Sequence, residues 1–80
     1  FNSETFINFS LDHQCKIKLS IFNALGQPIK TLIDGNWRPG TYQTKWDGKD
    51  ENEIPVGTGI YFYRLERDAF SQTKKLLLMK

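Results

Sequence analysis

The sequence predicts an all-β fold, an antiparallel β-sandwich of about seven short strands. Three observations carry this. Apolar and polar residues alternate with period 2 along most of the chain, the signature of half-buried strands. Turn-forming residues recur every 8–12 positions or so, the spacing of sandwiches rather than of βαβ units. No stretch carries the i, i+3, i+4 stripe of an amphipathic helix.

Taken in order, Ile7, Phe9 and Leu11 alternate with Asn8 and Ser10 and form a first strand. Cys15, Ile17, Leu19 and Ile21 alternate with Lys16, Lys18 and Ser20 in the clearest strand of the chain. Asn23-Ala24-Leu25-Gly26 then reads as a type I turn closed by a glycine bulge, with Gly26 at positive φ. The return strand runs from about Pro28 to Ile33, its proline suiting an entry or edge position. Asp34-Gly35-Asn36 and Arg38-Pro39-Gly40 are turn signals on either side of Trp37. Tyr42, Thr44 and Trp46 alternate again, and Asp47 to Gly59 reads as a loop rich in glycine and acids. Ile60 to Glu66 is apolar on both parities, the mark of a central, covered strand. Arg67-Asp68-Ala69 turns the chain into a last strand from Phe70 to Met79. The inward parity assigns to the core Ile7, Phe9 and Leu11, then Ile17, Leu19 and Ile21, then Tyr42 and Trp46. Tyr61, Tyr63, Leu65, Leu76 and Leu78 complete it.

Composition narrows the function. Eighty residues suit one domain over residues 1–80. The net charge is +2, and residues 1–40 carry 4 basic and 3 acidic side chains against 7 and 6 in residues 41–80, so no basic face for nucleic acid emerges. The longest apolar run, Leu76 to Met79, falls far short of the ~18 residues of a membrane helix. A single cysteine, Cys15, excludes an internal disulfide. The chain opens on Phe1 without a leader, as expected of a fragment or a processed product, with any export signal lying upstream.

No enzyme is expected. The one histidine, His13, sits in a turn, and a relay needs a base held by a third group inside a pocket. His13 and Cys15 share a strand parity, which allows a two-ligand metal contact, but a solvated histidine and a cysteine buried as a small hydrophobe account for both. Asp47, Asp50, Glu51 and Glu53 could offer oxygens to calcium, yet Lys49 occupies an alternate position where a ligand belongs. Asx turns around Gly48 explain that loop without metal or cofactor. Gly57-Thr58-Gly59 precedes a strand, so it is a turn and not a phosphate cradle. Trp37, Tyr42 and Trp46 could make a platform for sugar, with Trp37 the exposed member.

Several ordered segments carry a family likeness. They are Phe1-Asn2 with Thr5-x-Ile7-x-Phe9-Ser10-Leu11, Leu19-Ser20-Ile21-Phe22-Asn23-x-x-Gly26, Pro39-Gly40-Thr41, and Trp46-Asp47-Gly48-Lys49-Asp50. Pro55 through Leu65 and Thr73-Lys74-Lys75-Leu76-x-Leu78-x-Lys80 complete the set. Together they resemble the C-terminal sorting domains of type IX secretion cargo, a pattern shared with the Ig-like domain of flagellar hook-capping proteins. The resemblance implies an Ig-like sandwich in which Gly26, Gly40, Trp46, Asp47, Gly48, Asp50, Gly59 and Tyr61 form the structural motif. Glu53 stands where the family often has glycine, so the loop tip is expected to differ in shape. The Pro-Asn-Pro run that usually precedes Phe-Asn is absent.

The same resemblance implies a non-catalytic sorting module that carries upstream cargo domains of its chain through an outer-membrane translocon to the bacterial surface or exterior. The last strand is then the part a partner reads, through Lys74, Lys75, Leu77, Met79 and Lys80. The other readings are a structural Ig-like domain in an extracellular or hook-cap assembly, and a carbohydrate-binding module.

Overall fold

The computed structural model describes residues 4–79. Phe1, Asn2 and Lys80, which figure in the sequence reading, lie outside the described residues. Six strands follow in chain order: β1 (Thr5–Leu11), β2 (Cys15–Asn23), β3 (Pro28–Trp37), β4 (Gly40–Trp46), β5 (Gly59–Arg67) and β6 (Phe70–Leu78). All pairings are antiparallel. β1 and β4 form a two-stranded sheet, and a four-stranded sheet has the order β3-β2-β5-β6. The Ig-like antiparallel sandwich stands, with six strands among the described residues where about seven were expected.

Period-2 alternation builds the core. Ile17, Leu19 and Ile21 of β2, Ile7 and Leu11 of β1, Trp46 of β4 and Leu78 of β6 are buried between the sheets. Phe9, Tyr42, Tyr63, Leu65 and Leu76 are half-buried against them. Ile33 joins the core opposite Leu19. Ser20, on the outer parity between Thr31 and Arg64, is the buried polar residue.

Two sequence expectations are corrected. Asp34-Gly35-Asn36 is no turn, because β3 continues through it to Trp37, pairing these residues with Lys18, Ile17 and Lys16. The length of β2 decides this: nine residues of backbone present donors and acceptors that β3 satisfies. The pairing slips between Leu19 and Ser20 and again between Ile21 and Phe22, so the register skips Leu32 and Ile29. These bulges let a ten-residue strand follow a shorter partner segment. The second correction concerns β5, which is central within its sheet but covered on one face only. Ile60 stands exposed on the outer face, and the Arg64 guanidinium lies 4.5 Å over the ring of Phe22.

The β2–β3 turn shows how local chemistry fixes register. Asn23 Oδ1 accepts from the backbone N–H groups of Leu25 and Gln27, both at 2.9 Å, while Gly26 N–H donates to Asn23 O. Gly26 takes φ 82°, and a Cβ there would meet nothing within 4 Å. The cost of a side chain at this position is therefore conformational and not steric.

Two stability measurements check this account. Gly26→Val is expected to lower the unfolding free energy by more than ~1 kcal/mol, and Gly26→Asn by less, because asparagine tolerates the left-handed region. Trp46→Ala is expected to remove about 3–5 kcal/mol by opening a cavity between the sheets. Both are read by urea unfolding monitored by circular dichroism.

Candidate functional site

One end of the sandwich is organised around Trp46, the last residue of β4 and fully buried. Its ring meets Tyr61 of β5 edge-on, with centroids 5.2 Å apart, so the contact joins the two sheets. A buried indole N–H needs an acceptor, and Trp46 Nε1 donates to Lys49 O at 2.9 Å. Reaching that geometry takes a sharp bend: Gly48 lies at φ 76°, and Asp47 Oδ1 accepts from Lys49 N–H. Asp50 Oδ1 then accepts from the N–H groups of Asn52 and Ile54, closing the tip, and Val56 N–H returns to Gly48 O. Tyr61 Oη donates to Gly57 O at 2.6 Å and fastens the loop's far end. Gly59 opens β5 at φ 157°, close to extended.

This loop also covers the edge of β3. Glu51 N–H donates to Ile29 O, and Glu51 Oε2 accepts from Thr31 N–H at 3.0 Å. Both backbone groups lie along the slipped stretch of β3. Lys30 Nζ donates to Glu53 Oε2 at 2.8 Å, a bond that holds the Lys30 proton more firmly than usual. Glu53 adopts φ 63°, so the tip takes the left-handed conformation that glycine would favour, with a carboxylate added to pair with Lys30. The sequence marked Glu53 as a departure but offered no role for Glu51, whose partners lie 20 and 22 positions upstream.

The opposite end holds an aromatic trio. Phe9 stacks on Tyr42 at 5.4 Å, and Trp37 meets Tyr42 edge-on at 4.8 Å and Phe9 at 6.0 Å. Tyr42 Oη donates to Arg38 O, and Gly40 begins β4 beside that ring. Trp37 ends β3 half-buried rather than standing exposed in a turn, and its ring packs edge-on into the trio. That arrangement is a sheet-to-sheet brace. Nearby, His13 Nδ1 lies 2.6 Å from Asp12 Oδ1 and Nε2 lies 2.9 Å from Asp68 Oδ2. The bonds to Asp68 and then Asp12 raise the imidazole pKa above its ordinary value, and the bond to His13 lowers that of Asp12.

Between the ends, the small sheet leaves part of the large one bare. With neighbouring strands roughly 4.8 Å apart, two strands span roughly 5 Å between axes and four span roughly 14 Å. A groove of about 290 Å³ therefore opens between the free edge of β1 (Asn8, Ser10) and the inner faces of β5 and β6 (Tyr63, Leu65, Gln72). Lys74 lines this groove, whereas Lys75 faces the other side of β6. Leu77 and Met79 are 59% and 56% exposed on that outer side.

Residues 2–69 match the model of a family described as the FlgD Ig-like domain. Among solved structures, FLGD from P. aeruginosa superposes with a TM-score of 0.71 at 18% identity, over 92% of this chain and 58% of that one. The chain thus spans 58% of the length of that protein. No curated protein matches. These findings support the relation to the hook-capping Ig-like domain and overturn the sorting-module reading. The matched segment ends before β6, the strand that reading relied on for recognition.

The loop geometry sets two expectations. One oxygen of each of its four carboxylates already serves a backbone N–H group or Lys30, so millimolar calcium is expected to leave the melting temperature unchanged, whereas a rise of several degrees would show a cation site. Glu51→Ala is expected to lower stability by about 1 kcal/mol and to speed amide exchange at Thr31, measured by hydrogen exchange.

Proposed function

Because the chain belongs to the FlgD Ig-like domain family, we propose that it is a non-catalytic structural module working outside the cell in a flagellar hook-cap type of assembly. The observation that carries the reading is the family match over residues 2–69, which takes in five of the six strands and the whole Trp46 loop. The geometry agrees with a scaffold. Both nitrogens of His13 engage carboxylates, which leaves neither one bonded to a nucleophile as a hydrolytic relay requires. Polar groups of the Trp46 loop are spent on holding backbone in place, the chemistry of a rigid connector.

The test is a parent protein lacking residues 1–80, expressed in its own cells. Hooks seen by electron microscopy are expected to be missing or truncated, and to return with the intact gene. Hooks of normal number and length in the deletion strain would overturn the proposal.

A further inference from the structure

The corner where β1 passes into β2 meets the turn between β5 and β6, and three metal-binding side chains converge there. His13, Cys15 and Asp68 place one ligand atom each within 4.8 Å of one another. Nitrogen, sulfur and oxygen donors in one cluster form the set that zinc-class divalent ions accept. From this convergence we propose that His13, Cys15 and Asp68 bind a zinc-class divalent cation. The inference does not depend on the hook-cap reading.

Four features of the corner support it. First, small side-chain shifts bring the three atoms to coordination distance: His13 Nε2 and Asp68 Oδ2, now hydrogen-bonded at 2.9 Å, would open to roughly 3.4 Å around a tetrahedral ion, and the 4.8 Å spread of the cluster would close by about 1 Å. Second, Asp12 Oδ1 sits 2.6 Å from His13 Nδ1. With the proton on Nδ1 donated to that carboxylate, Nε2, which already faces Asp68, is the nitrogen left for an ion, the arrangement by which outer carboxylates orient metal-bound histidines. Arg67, 3.6 Å from Asp12, steadies the carboxylate in turn. Third, Cys15 is a free cysteine, 7% exposed, at the first position of β2, so its thiol approaches the cluster from the rigid core side. Fourth, the charges balance, since a thiolate, a carboxylate and a neutral imidazole sum to −2 against a divalent ion.

Binding forms three bonds to the metal and releases the thiol proton of Cys15, together with any proton on His13 Nε2. The His13 and Asp68 side chains are 55% and 58% exposed, so the fourth coordination position faces solvent. The ion would tie the start of β2 to a turn more than fifty residues away, a link whose stabilisation of the folded chain grows with the logarithm of ion concentration above Kd.

Titration of the intact, reduced chain with cobalt(II) reads the site directly. A thiolate-to-cobalt charge-transfer band is expected at one equivalent, bleached by zinc, with a rise in melting temperature on zinc addition. Cys15→Ser should abolish the band, and His13→Gln and Asp68→Asn should each weaken binding at least tenfold. Asp12→Asn should weaken it ten- to a hundredfold through loss of the orienting bond. His13→Gln and Asp68→Asn alter exposed side chains, so they keep the test valid should Cys15→Ser disturb the core. Absence of the band, or a band of unchanged affinity in both His13→Gln and Asp68→Asn, would overturn the site.

Discussion

The buried N–H of Trp46 is the constraint from which one end of this molecule follows. The indole fills the space between two sheets that share no ladder hydrogen bonds among the described residues, and its ring contact with Tyr61 is a direct tie between them. A donor left unpaired at that depth would cost about 1–3 kcal/mol, so an acceptor must be brought to it. Lys49 O is that acceptor. Its placement requires the left-handed bend at Gly48, and the bend directs the chain into the closed tip around Asp50. The tip in turn delivers Glu51 to β3. A packing requirement between sheets thus determines how a distant strand edge is protected.

Edges are the second theme. A six-stranded sandwich with two separate sheets has four edge strands: β1, β4, β3 and β6. Unpaired strand edges invite association with other chains. β3 meets this with its slipped register and with Glu51 bonded to Ile29 and Thr31. β6 carries Lys74 and Lys75 on opposite faces, charges that disfavour edge-to-edge stacking. β1 has neither device along Asn8 and Ser10, where the groove beside Tyr63 and Leu65 lies. Gln72 and Lys74 on the inner face of β6 make sense in this light, because no strand among the described residues lies over them.

Alternation made the strands and most of the core readable, since period 2 reports burial one residue at a time. Leu77 and Met79 outward with Leu78 inward is the plainest case. What alternation could not convey was partnership across long separations. Asp34-Gly35-Asn36 has the composition of a turn, and only the length of β2 opposite makes it strand. Ile33 was assigned a strand position without a place in the core, because the bulges that set its facing are properties of the pairing and not of the segment. Glu51 looked like one acid among four until β3 was beside it. The likeness to two related families fixed the Ig-like architecture. It could not separate their roles, because the shared segments build strands and turns along the whole chain.

That difference between the ends extends to what each can do. At the Trp46 end, side-chain polar groups bond mostly to backbone, with Glu53 on Lys30 the exception, and substitutions there act on stability. At the opposite end the aromatic trio braces the sheets, while Asp12, His13 and Asp68 interact with one another at a half-exposed surface above a buried thiol. Asp68 holds its place in a left-handed backbone conformation at φ 51°, one that aspartate tolerates better than most residues. A corner built largely from charged side chains that satisfy each other can exchange one partner for another without unfolding anything. A ligand taken up at the His13 corner would leave the hydrogen bonds of the Trp46 end in place.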